Sequence, residues 1–229
     1  MIDDEIRGDL FDFPVVLPPP GAPVPDGLPA RWAAVARETD PAARRAAALS
    51  RWEPEFLAMV PRFATALREQ LVDVRVARHR DDGTWVLVYP LRTDYGVRCW
   101  IGHDPDAAGS ARPQHWKLLP EPARRFLTGT HAGFTDGLLN GLMAPKWMDS
   151  FARWAEIDDG PIPGWDGTDG RISSTELIVV ATDGGALHLC VSPLAPPGAA
   201  VLVYEGDVSI RRDFATELDE VLCTRLEFG

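Results

Sequence analysis

Residues 176–192 constrain this chain more than any other stretch. Glu176-Leu-Ile-Val-Val-Ala-Thr182 and Ala186-Leu-His-Leu-Cys190-Val-Ser192 are apolar runs of strand length, and Asp183-Gly184-Gly185 lies between them. An Asp-Gly pair between β-rich runs signals a hairpin, because glycine accepts positive φ without a steric penalty. The second run alternates, with Leu187, Leu189 and Val191 on one face and His188 and Cys190 on the other. A Pro-Pro-Gly loop follows, then Val201-Leu-Val-Tyr204-Glu, Gly206-Asp207 and Val208-Ser-Ile210. This is the pattern of an antiparallel meander of about four strands.

A second meander lies upstream. Val72, Val74 and Val76 carry strand periodicity, Asp82-Gly83 is a turn, Trp85–Tyr89 a strand, Asp94-Tyr95-Gly96 a turn, and Val97–Ile101 a strand. A lone three-stranded meander buries little surface, so one sheet continuous with the later meander is expected. Helical periodicity runs from Leu28 to Leu71. Pro41 after Asp40 restarts a helix, Ala42–Leu49 is rich in helix formers, and Phe56, Leu57, Val60, Phe63, Ala64, Leu67 and Leu71 mark one core-facing stripe with Pro61 as a kink. Leu138, Leu139, Leu142, Trp147, Met148, Phe151 and Trp154 read as a further, mainly helical apolar stretch. Asp213 is placed to cap a last helix over 213–226, with Phe214, Leu218, Val221, Leu222 and Leu226 on one stripe. The fold class is α+β: an antiparallel or mixed sheet with helices packed on one side, a helical N-terminal extension and a C-terminal closing helix. The organisation reads as an acidic, proline-rich arm over 1–27, a helical extension with a meander over 28–112, and an α+β domain over 113–229. The run Leu17-Pro-Pro-Pro20 points to an extended polyproline arm, either a peptide ligand or a surface strap.

Charge narrows the class of partner. The net charge is −11. Residues 28–80 hold ten Arg against six acids, and residues 151–229 hold five Arg against fourteen acids. An acidic C-terminal third argues against nucleic acid and suits a basic protein partner. No apolar run approaches the roughly 20 residues of a membrane span, and the acidic start is unlike a signal peptide. Cys99, Cys190 and Cys223 sit in apolar patterns and read as buried thiols of a reducing, cytoplasmic setting.

Three constellations bear on chemistry. His103, Asp104 and Asp106 follow a strand and suit either an acid–base or metal site or ordinary turn chemistry. His188 and Cys190 share a strand face, as a nucleophile pair or as packing, at about 6–7 Å spacing. The 156–174 loop combines Asp158, Asp159, Asp166 and Asp169 with Trp165. Loops longer than about 12–15 residues are usually functional or disordered. A tryptophan ringed by carboxylates suits a basic partner, and Glu205 and Asp207 extend the same acidic face; the other reading is a solvated, mobile loop with Trp165 folded onto the body. The chain lacks G-x-S-x-G, G-x-x-x-x-G-K-[ST] and H-E-x-x-H, and no cofactor or metal is expected.

The order LIVVATDGGALHLCVS, AAVLVYEGD and a final helix opening at DFATELDEVL resembles the SUKH superfamily. Leu119-Pro120 through Phe126-Leu127 is similar to that family's Leu-Pro helix. The resemblance covers roughly residues 116–226. His131-Ala132-Gly133 stands where the family usually has Asn-Gly, and nothing before residue 113 matches. The resemblance implies a non-enzymatic bacterial immunity protein that binds and blocks a cognate toxin domain, often a nuclease. Asp158, Asp159, Trp165, Asp166, Asp169, Glu205 and Asp207 are then the partner-binding candidates. A cytosolic regulatory or scaffold module is the alternative among SUKH relatives. An enzyme using His103, Asp104 and Asp106 is the alternative from another class.

Overall fold

Alternation within the first meander decides the architecture. In the computed structural model, which describes residues 2–11, 13–19, 22–24, 26–107, 109, 111–165, 172–211 and 213–227, Leu87, Tyr89, Leu91 and Trp100 face one apolar core. Val86, Val88, Val97, Cys99 and Ile101 face another. A strand with two buried faces needs cover on both, and each face has it. In chain order the elements are α1 (Ile2–Asp9), β1 (Val15–Val16), α2 (Ala33–Arg37), α3 (Pro41–Leu49), α4 (Pro54–Met59), α5 (Pro61–Glu69), β2 (Arg75–His79), β3 (Trp85–Thr93), β4 (Gly96–His103), α6 (Glu121–Arg125), β5 (Phe134–Thr135), β6 (Gly141–Leu142), α7 (Phe151–Trp154), β7 (Ile178–Thr182), β8 (Leu187–Val191), β9 (Ala200–Tyr204), β10 (Asp207–Arg211) and α8 (Phe214–Glu227). The class is α+β. Among the described residues the strands form one ten-stranded sheet in chain order. Every neighbouring pair is antiparallel. The larger core runs from Trp32 and Phe56 in the N-terminal half to Val201 and Leu222 in the C-terminal half.

Helices lie on both faces rather than one. Residues 2–9, read as part of an acidic, proline-rich arm, form α1, and its Ile6 closes the second core together with Leu10, Val15 and Leu17. The acids of α1 meet the arginines of the sheet: Asp3 bonds Arg75 at 3.0 Å, Glu5 pairs with Arg92, and Asp9 accepts the Cys99 backbone N–H at 2.7 Å. The chain then adds Val15–Val16 to the sheet edge against Arg78 and His79. Of the proline run, Pro18 accepts a bond from Arg75 through its carbonyl at 2.8 Å, and Pro20 lies outside the described residues.

Proline divides the expected long helix in two. Val60 has φ −126° and ψ 64°, because a residue before proline is pushed out of the helical region. The 138–154 stretch is not mainly helical either. Buried Asp136 accepts from the N–H groups of Leu138 (2.8 Å) and Asn140 (2.9 Å), which fixes a β5–β6 turn. Gly141 follows with φ 124°, and a Cβ there would stand 2.3 Å from the Phe134 carbonyl oxygen. The apolar residues of this stretch were a sound burial signal for Leu142, Met143 and Met148, yet the turn leaves Leu138 and Leu139 exposed.

Two carboxylates of the last helix segment act as caps. Asp213 accepts from the Thr216 hydroxyl and from Thr216 N–H (3.1 Å) and Ala215 N–H (3.3 Å) at the start of α8, and the hydroxyl bond first, then the two N–H bonds, hold its carboxyl below the usual range. Asp219, buried in the apolar stripe of Phe214, Leu218 and Leu222, caps a different helix. It accepts from Arg62 N–H at 3.0 Å and Phe63 N–H at 2.9 Å, at the start of α5, where Val60 supplies no side-chain cap. Two orphan amides are thereby satisfied from α8. Asp219→Ala should therefore lower unfolding stability by about 2 kcal/mol, with Asp219→Asn losing less. Urea unfolding checks this, and an unchanged midpoint for the Ala variant would contradict it. Phe214 is 1% exposed, so Phe214→Ala should cost about 3–5 kcal/mol in the same assay.

Candidate functional site

The acidic loop begins where α7 ends. Ser150 caps α7 by accepting from Arg153 N–H at 3.3 Å. The helix lays Phe151 and Trp154 edge-on against His188 of β8, with ring centroids 5.2 Å and 5.8 Å away. Glu156 turns the chain at φ 61°, and Ile157 N–H closes the turn onto Ala152 O at 2.9 Å. Asp158 and Asp159 follow, and Asp159 is exposed. Trp165 folds back onto the body: its indole N–H donates to Ile172 O at 2.9 Å and its ring lies 5.3 Å from Phe151. Ile162 N–H donates to Ser174 Oγ at 2.9 Å and pins the middle of the loop. Asp166 and Asp169 lie outside the described residues.

Glu205 lies in the tight β9–β10 turn and Asp207 directly follows it, and both are exposed. Among the described residues no ion pair or hydrogen bond involves the carboxylates of Asp158, Asp159, Glu205 or Asp207, and none joins the loop to the turn. Other acids of the last third are engaged within the fold. Glu220 and Glu227 pair with Arg62, and Glu217 lies 3.9 Å from Arg211. Asp183 accepts from Gly185 N–H (2.8 Å) and Leu187 N–H (3.1 Å) in the β7–β8 turn. Gly184 there has φ 75°, and a Cβ would meet Leu138 O at 2.5 Å, so this glycine serves both the turn and its close approach to the β5–β6 turn.

His103 and Asp104 line one small pocket together with Lys146, but among the described residues no hydrogen bond or ion pair joins the His103 ring to Asp104 or Asp106. His103 ends β4 and stands edge-on to Trp147 at 5.2 Å, and Lys146 Nζ lies 4.9 Å over the same indole. Burial first, then the nearby Lys146 and His79, push the His103 ring down to about 4. Asp104 and Asp106 turn instead to Arg31, whose Nε is 3.9 Å from Asp104 and whose guanidinium pairs with Asp106. Burial raises the Asp104 carboxyl. Among the described residues no group of three or more His, Cys, Asp or Glu is arranged to hold a metal ion. His188 and Cys190 are likewise packed rather than paired. Burial raises the Cys190 thiol, and no bond joins it to the His188 ring.

Sequence reasoning gave no role to His131, which the structure places at the centre of the larger core. A π-helical turn over Phe126–Thr130 delivers it, and its Nε2 lies 2.7 Å from Tyr89 Oη. Trp52 Nε1 donates to the same phenol oxygen at 3.4 Å, so the phenol proton is assigned to His131. Trp32, Trp52, Phe126 and Phe134 surround the ring at 5.8–6.1 Å. A Cβ on Gly102 would overlap it at 2.4 Å. The one available signal was that His131 stands where the resemblance has Asn.

No family model matches this chain, and no curated protein and no solved structure matches it. No helix among the described residues is long and apolar enough to cross a membrane.

Burial lowers His131 to about 3 and His103 to about 4, against an ordinary value of 6.5. The unfolded chain therefore binds protons that the folded chain refuses. Stability from the neutral rings is complete above about pH 6.5 and drains away as pH falls toward the folded values. Near pH 5 the two rings should contribute uptake of about two protons on unfolding, and His131→Gln should reduce the measured uptake by about one. The pH dependence of urea midpoints reads this directly. Equal slopes for the two proteins would mean that His131 titrates normally.

Proposed function

We propose that this chain is an immunity protein that binds a basic cognate toxin domain through an acidic surface and blocks it without chemistry of its own. The observation that carries the reading is the sorting of carboxylates. Asp213, Asp219, Glu220 and Glu227 cap helices or pair with Arg62. Asp158, Asp159 and Glu205 have no cation among the described residues. Carboxylates without an intramolecular partner set a negative field outside the protein, which steers and orients a basic partner. The resemblance to SUKH immunity proteins supports the same reading, and so does the chain-level charge of −11. Neighbouring Trp165, Phe151 and Trp154 give the loop a half-buried aromatic floor. Because the Trp165 indole N–H is already bonded to Ile172 O, its role in this reading is to hold the loop in shape. A loop fixed before contact loses less conformational freedom on binding.

The test begins with capture of the partner on the immobilised chain at moderate salt and identification by mass spectrometry. Association kinetics against that partner follow. Asp158→Asn with Asp159→Asn should slow association several-fold at low salt, and the difference should vanish as the screening length falls below about 8 Å. The dissociation rate should change less. Kinetics identical to the unaltered protein at every ionic strength would remove this loop from the interface.

A further inference from the structure

The sheet has two edges, β1 and β10, and they are built differently. β1 is two residues long and is flanked by Pro14 and Pro18, so little of it is open to another strand. β10 is the five-residue run Asp207-Val-Ser-Ile-Arg211. It has no proline or bulge, and among the described residues its only strand partner is β9. Ile210 is 45% exposed and Tyr204, across from Asp207, is 53% exposed.

The turn sets which backbone groups look outward. Glu205 and Gly206 form a two-residue loop with φ 50° and 92°, the sign pattern of a type I′ hairpin. The pair flanking such a loop, Tyr204 and Asp207, is the hydrogen-bonded one, and bonding alternates from there. Val208 and Ile210, opposite Val203 and Val201, therefore turn their N–H and C=O groups away from β9 and toward open solvent.

We propose that a second copy of this chain docks antiparallel on this edge, with a two-fold axis at Ser209, and joins the two sheets into one. The strand is complementary to its own reverse. About that axis Val208 meets Ile210 of the second copy, and these are the residues whose backbone groups face outward on both strands. Asp207 meets Arg211 of the second copy, and the symmetry repeats each pair. Ser209 meets itself. An axis passing between residues would set outward-facing groups against inward-facing ones. An axis at Val208 or Ile210 would lose the charge pairs. Among the described residues Arg211 has only the loose 3.9 Å contact to Glu217, with about half of its side chain exposed at 52%, so it can reach across. Val208 and Ile210 of both copies would line up as one aliphatic strip, since side chains directly opposite share a face. The pairing takes Asp207 out of the toxin-facing acids and leaves Asp158, Asp159 and Glu205.

Sedimentation of the full chain over a range of concentrations tests this, with three variants confirmed as folded by circular dichroism. The unaltered protein should show a reversible monomer–dimer equilibrium. Val208→Pro removes an outward N–H that bonds nothing among the described residues, and Asp207→Arg sets arginine against arginine. Each should raise the dimer dissociation constant by roughly tenfold or more. Asp207→Arg combined with Arg211→Asp restores the charge pairs and should restore dimerisation to within about threefold. A monomer at every concentration, a dimer indifferent to Val208→Pro, or a double variant no better than Asp207→Arg alone would each overturn the proposal. In the first case the edge falls to a strand from another protein.

Discussion

The fold depends on one buried meeting of aromatic rings. Trp52, from the turn between α3 and α4, touches Phe56, Tyr89, Phe126, His131 and Phe134 with centroid distances of 5.0–6.1 Å. Phe56 stacks on Phe126 at 3.9 Å. These rings come from the N-terminal helices, from β3, from the segment around α6 and from β5, so no single half of the chain owns the core. Burial of aromatic surface dominates core energetics, and edge-to-face geometry adds to it. The cost is that Tyr89, His131 and Trp52 carry polar atoms into a dry space. The chain from Trp52 Nε1 through Tyr89 Oη to His131 Nε2 satisfies three of these atoms, while His131 Nδ1 is buried with no hydrogen-bond partner among the described residues.

Electrostatics elsewhere follow a similar rule of local satisfaction. Arg44 is buried and donates from the Nε–Nη2 edge of its guanidinium to the two carboxylate oxygens of Asp73 at 2.7 and 2.8 Å, while Nη1 donates to the carbonyl of Thr39 at 2.8 Å. Asp136 is 2% exposed and holds Arg225 of α8 at 2.6 Å. Much of the positive surplus of residues 28–80 is consumed in this way: Arg31, Arg44, Arg62 and Arg75 all have carboxylate partners. The Arg-rich helices are therefore stitched to the rest of the fold, and the exposed carboxylates without a cation partner among the described residues include Asp158, Asp159, Glu205 and Asp207 on the loop after α7 and the β9–β10 turn. That asymmetry motivates a basic partner more directly than the overall composition does.

The sequence made the strands legible because period-two patterns in β3, β4, β8 and β9 coincide with burial on definite faces. It made α8 legible because Asp213 and the Phe214–Leu222 stripe are local signals. What failed were features set across distance. Residues 2–9 look like a charged tail until Arg75, Arg92 and Arg98 stand opposite their acids. Leu138 and Leu139 look like core until Asp136, held from α8 by Arg225, fixes a turn beneath them. Asp219 breaks an apolar stripe for a reason visible only when α5 is beside it. In the candidate site, Asp158 and Asp159 were recognisable from loop composition, whereas the inward fold of Trp165 depends on Ile172 and Phe151, and the pairing of Asp104 and Asp106 with Arg31 joins segments far apart in the chain.

The central claim is that the larger core, which runs from the aromatic meeting through β7–β9 to α8, makes both halves of the sheet one cooperative unit, so that the acidic loop is displayed by a rigid body. Cys99 reports on β4 and Cys190 on β8, and both are buried, at 1% and 0% exposure. Their thiol-labelling rates can be followed in increasing sub-denaturing urea. The account predicts that both thiols open with the same free energy and the same urea dependence, equal to those of global unfolding. If Cys190 became reactive at lower urea with a shallower dependence while Cys99 stayed protected, the halves would be separate units and the claim would fail.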